Sequence, residues 1–461
     1  MLQKELFMNK LFSSTLLLVM LIPCMLFAQL RVSGEFSPGA MFRTSNGKVI
    51  NLPFRPVNIS VDYARGDFVF KTSTAIETRW KDAEISDDMV QFREAYLEWY
   101  PSFGAIRLGK LIHTWGAADG NNPTDNLSPY DYYYMFLSGT DRKLGTLSVA
   151  GKAYFGDVQV ELILIPEFES NRFPLNEPDF PIQIPIPADA IFSLPEDEFE
   201  FGARLQYALG IGDISASYFR GHDRSFSPAS MEVDISPFLL GEVPNFISHL
   251  SYRSTDVIGV DAVLFPGNWT LRGEFAYFRT TTPEIDYDIS KFIYDAQYLQ
   301  SVVQLEYAFA NTVQLMGQLI NTNYLSTESE FIPGSDLIAA QTFLQDTSDH
   351  ALDPIRAQLG SISVPAFSAG MGTPFAIIAD RVVMLSSMIT LLDNNLELGA
   401  LLMINLEATG YMSNLKSSYS VAEGLTLDAA LSYFIGGEED GNKFKPLEDF
   451  SNLTLGLTYS F

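Results

Sequence analysis

The chain has 461 residues, of which 47% are hydrophobic and 13% aromatic, and its 56 acids outweigh 29 bases to give a formal net charge of −27. That balance excludes a nucleic-acid binder, which needs a basic footprint. Beyond the N-terminus no apolar run reaches the ~20 residues of a spanning helix, so the apolar side chains belong to strands or to a packed core.

Met8 to Ala28 read as a secretory signal peptide. Asn9-Lys10 opens a short positive region, Leu11 to Phe27 is almost continuously apolar, and Phe27-Ala28-Gln29 places a small residue before the cut. Lys4 and Glu5 precede a second methionine, which points to translation from Met8. Cys24 is the only cysteine and lies in this segment, so the cleaved chain has no disulfide and no cysteine metal site. Pro23 beside it departs from a lipoprotein cleavage box. Residues 1–28 are assigned to the signal and 29–461 to a single domain.

From Leu30 the chain falls into alternating segments. Gly34 to Thr44 is irregular, with Pro38 and Gly39. Val57, Ile59, Val61 and Tyr63 alternate with polar residues, turn at Ala64–Asp67, and continue as Phe68, Phe70, Thr72, Thr74 and Ile76, the pattern of a hairpin with one apolar face. Short turns recur at Pro101–Gly104, Gly156-Asp157, Gly210–Asp213, Pro266–Asn268, Ala310-Asn311, Asp393–Asn395 and Ala422–Gly424. Between the hairpins run longer connections near Thr44–Phe54, Trp80–Asp88, His113–Leu144, Glu167–Glu198, Gly221–Thr255, Thr280–Tyr298, Thr322–Ala379 and Gly436–Phe450, with a short one at Ala408–Gly410. The last strand alternates Leu453, Leu455, Leu457 and Tyr459 with polar residues and stops on Phe461.

A membrane protein without spanning helices must close its strands on themselves, because every backbone group needs a partner inside lipid. The expected fold is therefore all-β: a transmembrane antiparallel β-barrel of about 18 strands, or alternatively 16, with short periplasmic turns and long extracellular loops. The irregular first strand must then pair with the last. The competing reading is a large soluble all-β protein.

Parity assigns faces. Leu396, Leu398, Ala400, Leu402, Ile404 and Leu406 form the cleanest lipid stripe, and Lys110 is an exception on the lipid parity of Ile106 and Leu108. The inward parity collects Lys71, Glu77, Arg79, Glu94, Glu98, Arg107, Lys152, Arg204, Arg272, Glu274 and Glu306 as candidate pore-lining residues, with Asp62, Glu161, Glu200 and Asp261 beside them. Arg107 and Glu98 flank one turn and are placed to pair across it. Inward carboxylates outnumber bases, which predicts a preference for cations.

Among the loops, Trp115, Asp119, Asn122, Asp125, Tyr130 and Asp131 are candidates for a constriction if their loop folds inward. The oxygens of Asp119, Asn121, Asn122, Asp125 and Asp131 suit turns or a calcium ion, but Pro123 breaks the EF-hand spacing, and no metal or cofactor is assigned. Tyr130, Tyr132, Tyr133 and Tyr134 suit an upper aromatic girdle or a ligand platform. Proline-rich Phe173–Pro195 should be extended. Ser335–Gln345 reads as a helix capped by Ser335, with Leu337, Ile338, Phe343 and Leu344 available to pack on the inner wall.

The stretch Arg107-Leu108-Gly109-Lys110, followed by Trp115-Gly116 and Asn122-Pro123-Thr124-Asp125, resembles segments of bacterial porin-like outer-membrane proteins. The aromatic terminus resembles the insertion signal of Gram-negative outer-membrane barrels. The resemblance implies an outer-membrane location, contact with lipid, assembly by the barrel machinery, and a channel for passive diffusion of small-molecule solutes. A hydrophobic-substrate channel and a structural or adhesion barrel are the alternatives. No nucleophile motif accompanies His113, His222, His249 or His350, so no enzyme is expected. The oligomeric state is not legible.

Overall fold

The computed structural model describes residues 30–81, 88–184, 186–187, 189–234, 245–283, 289–309, 313–346, 353, 367–439 and 441–461. The signal peptide and the Ala310-Asn311 turn read from the sequence lie outside these residues, as do His350 and the side chains of Phe343 and Leu344.

The strands form a closed 18-stranded antiparallel barrel. β1 runs in two pieces, Leu30–Phe36 and Gly39–Arg43, followed by β2 (Phe54–Arg65), β3 (Phe68–Thr78), β4 (Met89–Trp99), β5 (Gly104–Leu111) and β6 (Thr146–Phe155). Next come β7 (Val158–Ile165), β8 (Glu200–Leu209), β9 (Gly212–His222), β10 (Ser254–Leu264), β11 (Trp269–Thr281) and β12 (Ser290–Ala308). β13 (Val313–Ile332), β14 (Arg381–Leu391), β15 (Leu396–Asn405), β16 (Gly410–Ala422), β17 (Leu425–Gly436) and β18 (Asn452–Ser460) complete the wall.

Closure joins β1 to β18, with Glu35 opposite Ser460 and Gly39 opposite Gly456. The register is the same on both sides of the Ser37-Pro38 interruption. Proline has no N–H to give, but the Pro38 carbonyl accepts from Leu457 N at 3.1 Å, so the seam stays bonded. Phe461 exchanges both backbone bonds with Gly34, at 2.9 and 3.0 Å. A Cβ at Gly34 would lie 2.4 Å from the Phe461 ring, so a side chain at this position would have to displace the ring.

Alternation produces the two faces. Val303, Leu305, Leu398, Leu406, Leu415 and Leu431 are exposed on the outer surface, where lipid replaces water as their solvent. Lys110 lies at the long-loop end of β5 and meets Glu169 at 3.8 Å, so its charge is placed beyond the hydrocarbon.

β12 and β13 are 19 and 20 residues long, about twice the 9–11 needed to span. Within the segments read as loops, Thr280–Thr281 and Ser290–Tyr298 of the first and Thr322–Ile332 of Thr322–Ala379 are therefore strand: the two long strands stay paired as far as Lys291 opposite Ile332. A hairpin of Ser227–Asp234 and Asn245–Ser251 leans on this extension through Ser230 opposite Lys291. Helix α1 (Ser335–Asp346) packs on that hairpin and on β12, with Leu337 buried and Ile338 exposed. It therefore stands at the long-loop end and not on the inner wall. Its first turn starts from the Gly334 carbonyl, which accepts from Ile338 N at 3.0 Å, one residue before the serine expected to cap it.

Other loops turn inward and give the barrel a core. Tyr130, Tyr132, Met135, Phe180, Phe375, Ile378, Phe444, Leu447 and Phe450 pack against Val302, Ile320, Val382, Met384, Met403, Met412 and Phe434 of the wall. A second cluster places Leu111, Trp115, Leu127 and Met371 against Ile163, Phe219, Phe278 and Tyr298.

Candidate functional site

The connection from β5 to β6, residues 112–145, enters the lumen and is bound to the wall along its length. Trp115 is buried and donates Nε1 to Glu161 Oε2 at 3.1 Å. Its ring lies against Gly202, where a Cβ would come within 2.7 Å of it. Gly116 has φ +99°, and a Cβ there would sit 2.5 Å from Glu274 Oε1. Both conformation and space thus require glycine after the tryptophan. Ala117 N and Ala118 N each donate to Glu274 Oε1 at 2.6 Å, Asn122 Nδ2 joins them at 2.8 Å, and Thr124 Oγ1 reaches Glu274 Oε2 at 2.8 Å. Farther round the wall Asp119 N donates to Gln304 Oε1 at 2.9 Å, and Asn121 Nδ2 to Gln318 Oε1 at 2.7 Å.

The returning half of the loop is held by charge. Asp125 pairs with Lys143 at 2.5 Å, both buried. Asp131 meets Arg55 at 3.0 Å and Arg172 at 3.2 Å, and Glu77 meets the same Arg172 at 2.6 Å while accepting from Tyr134 Oη at 2.8 Å. Of the carboxylates that suggested calcium, Asp125 and Asp131 are thus taken up by cations of the chain, and Asp119 binds the wall through its backbone. Tyr130, Tyr132 and Tyr134 are buried inside the lumen and not in a girdle. Tyr130 N donates to Asn171 Oδ1 at 2.7 Å, and the half-buried Tyr133 lies under Arg172, 4.6 Å from the guanidinium carbon. His113, at the base of the loop, contacts Ser148 Oγ at 2.8 Å. Burial, then Arg107 and Lys143, push its pKa down to about 3, so it stays neutral.

The other sequence-picked residues form ion pairs, on the wall except for Arg79, which lies just past β3 and meets Glu177 of the β7–β8 connection. Lys71 meets Glu98 at 3.7 Å, Arg79 meets Glu177 at 2.7 Å, Arg204 meets Asp261 at 2.8 Å, and Arg272 meets Glu306 at 2.7 Å. Arg107 is the register neighbour of Glu98, yet its guanidinium reaches Glu161 at 3.4 Å, which Lys152 also meets at 3.4 Å. The expected Arg107–Glu98 pair is therefore replaced by a diagonal one across β6. Glu94 accepts from Ile112 N at 3.0 Å and so anchors the start of the loop. Arg55, Arg93, Lys143, Arg172 and Glu177 were missed. Arg93 is the extra residue of a bulge, since Ser73 pairs with Glu94 while Thr74 pairs with Phe92; the bulge places Arg93 against Asp141 of the loop, at 2.9 Å.

Beneath the loop, on the short-turn side, opens a polar vestibule of about 300 Å³. Thr114 to Ala117 form its roof, and Lys152, Gln159, Glu161, Arg204, Gln206, Asp213 and Arg272 its walls. At the long-loop end a smaller apolar crevice of about 200 Å³ lies between Phe173, Ile184, Phe226, Tyr294 and Phe367.

No family model and no curated protein sequence matches the chain. Solved structures do. The outer membrane protein OpdK from Pseudomonas aeruginosa aligns with a TM-score of 0.52 at 8% identity, over 95% of this chain and 100% of that one. The fold is that of the porin-like outer-membrane barrels. OccK2 (OpdF) from the same organism, solved in complex with glucuronate, aligns with a TM-score of 0.50 at 8% identity, over 94% of this chain and 97% of that one. At such identities the likeness is one of fold, and the residues of the inserted loop have to be read on their own chemistry.

Proposed function

We propose that this protein is an outer-membrane channel of a Gram-negative-type bacterium, through which small polar solutes of about monosaccharide size diffuse passively. The observation that carries the reading is the polar vestibule roofed by Thr114–Ala117, around which Arg107 and Lys152 are paired with Glu161, Arg204 with Asp261 and Arg272 with Glu306. Paired charges on a hydrated wall offer hydrogen bonds to a passing solute without holding it strongly, as permeation requires. The inserted loop sets the cross-section, because wall side chains on β7, β11, β12 and β13 fasten it. No catalytic role is assigned to any residue. The glucuronate bound by OccK2 is a polar solute of the size proposed here.

The apolar crevice at the long-loop end favours a second reading, a channel for small apolar solutes. Uptake into liposomes containing the purified protein separates the two. The first reading expects a monosaccharide to enter far faster than into protein-free liposomes, with little gain for an apolar aromatic probe. The reverse order would favour the second, and equal rates with and without protein would refute both.

A further inference from the structure

Glu274 is wholly buried on the lumen side of β11. Every hydrogen bond it accepts comes from a neutral donor of the inserted loop: Ala117 N, Ala118 N and Asn122 Nδ2 on one oxygen, Thr124 Oγ1 and Thr124 N on the other. A buried carboxylate is costly without a compensating charge, and here loop amides supply the compensation. Charge-assisted bonds of this kind are roughly twice as strong as neutral ones. The groups around it are already engaged. Asp261, its register partner on β10, is paired with Arg204. On its own strand Arg272 is paired with Glu306 of β12 and donates to Ala117 O at 2.8 Å. Glu161 is held by Trp115, Arg107 and Lys152, and in the loop Asp119 binds through its backbone to Gln304.

Resting on the channel reading above, we propose that Glu274 is the positioning residue that latches the constriction loop, and that protonation of its carboxylate loosens the loop and widens the channel. A proton on Oε2 opposes acceptance from Thr124 N and reverses the Thr124 Oγ1 contact into a neutral bond that the carboxyl donates, and it weakens the three bonds on Oε1 by discharging them. Glu274→Gln copies this state, because one oxygen becomes an N–H donor with the shape unchanged.

The test is single-channel conductance in planar bilayers, from about pH 8 to about pH 4, the span in which an ordinary or raised carboxyl titrates. Burial and the neighbouring Arg107 and Lys143 hold the His113 pKa low, at about 3, below that span. Wild type should show a conductance step on acidification, on the order of 1.5-fold or more for a pore whose narrowest part is the loop. Glu274→Gln should lack the step and show the acid level throughout, with the same heat-modifiable folded band as wild type. Asp261→Asn should keep the step. A step that survives in Glu274→Gln, or that vanishes in Asp261→Asn alone, would overturn the latch. So would a pH-independent wild-type conductance. A barrel that folds and conducts no current at any pH would instead refute the channel reading beneath it.

Discussion

Replacing Lys143 by methionine isolates what the buried pair contributes to the inserted loop. Lys143 and Asp125 have only 4% of each side chain exposed and stand 2.5 Å apart, and Lys143 also donates to His113 O at 3.3 Å. Both residues lie within one loop, so their pairing holds the loop in its docked shape and leaves the barrel ladder untouched. Removing one member of such a buried pair costs about 3–5 kcal/mol, mostly because the other charge is left stranded. At about 1.4 kcal/mol per tenfold, even the lower figure raises the population of undocked loop by a factor of about 150. Hydrogen exchange read by mass spectrometry on peptides from residues 112–145 measures this directly, because local opening is reported separately from global unfolding. Peptides from β15 serve as the control and should not change. The double variant Lys143→Met with Asp125→Leu removes both charges and should recover most of the lost protection. A change in Lys143→Met below about fivefold, roughly 1 kcal/mol, would refute the reasoning. So would a double variant as loose as the single.

Three further outcomes follow from the same geometry. Gly34→Val forces a side chain onto the Phe461 ring, and deleting Phe461 removes its two backbone bonds to Gly34 at the end of the seam; each should reduce the heat-modifiable folded band after export, and a normal folding yield in both would remove this end of the seam from the account of assembly. Deleting Phe173–Pro195 takes Phe180 out of the lumen core and should enlarge conductance, whereas deleting Ser335–Gln345 should not, since that helix stands on the outer hairpin; equal effects would contradict this placement. The excess of inward carboxylates should make the unmodified channel prefer cations at low salt, and Arg272→Gln, by releasing Glu306 from its cation, should shift the reversal potential in a salt gradient further toward cations, an effect that fades as salt screens the lumen; no shift at low salt would mean that these residues lie off the path.

Much of the barrel is legible in the sequence because period-two alternation is imposed by lipid on one side and by a polar lumen on the other. The stripe from Leu396 to Leu406 and the closing strand to Phe461 show it most plainly. Alternation fails where one residue is inserted, and for that reason Arg93 was hidden. It also fails where a strand outgrows the membrane: Ile293 to Gln300 and Thr322 to Glu330 continue as strand on largely polar composition, because each is the other's ladder partner. Parity fixes the face of a lumen charge but not its partner, so Arg107 was legible as inward while its choice of Glu161 over Glu98 depended on the diagonal stagger between strands. In the loop, Trp115-Gly116 and the Asn122–Asp125 run signalled a tight fold. The donors that meet Glu274 are mostly backbone N–H groups, which no residue type announces. The tyrosines of 130–134 were misplaced because a buried and an interfacial tyrosine have the same sequence signature.

Solutes that cross the barrel should pass through the polar vestibule beneath the inserted loop. The most direct measurement is modification of Gln206→Cys, a vestibule position, in a chain whose single native cysteine is Cys24. A charged, water-soluble thiol reagent added to single channels should lower the current in discrete steps, while Leu415→Cys, on the exposed outer face, should be unaffected. Current that stays unchanged after mass spectrometry has verified modification at position 206 would contradict the account.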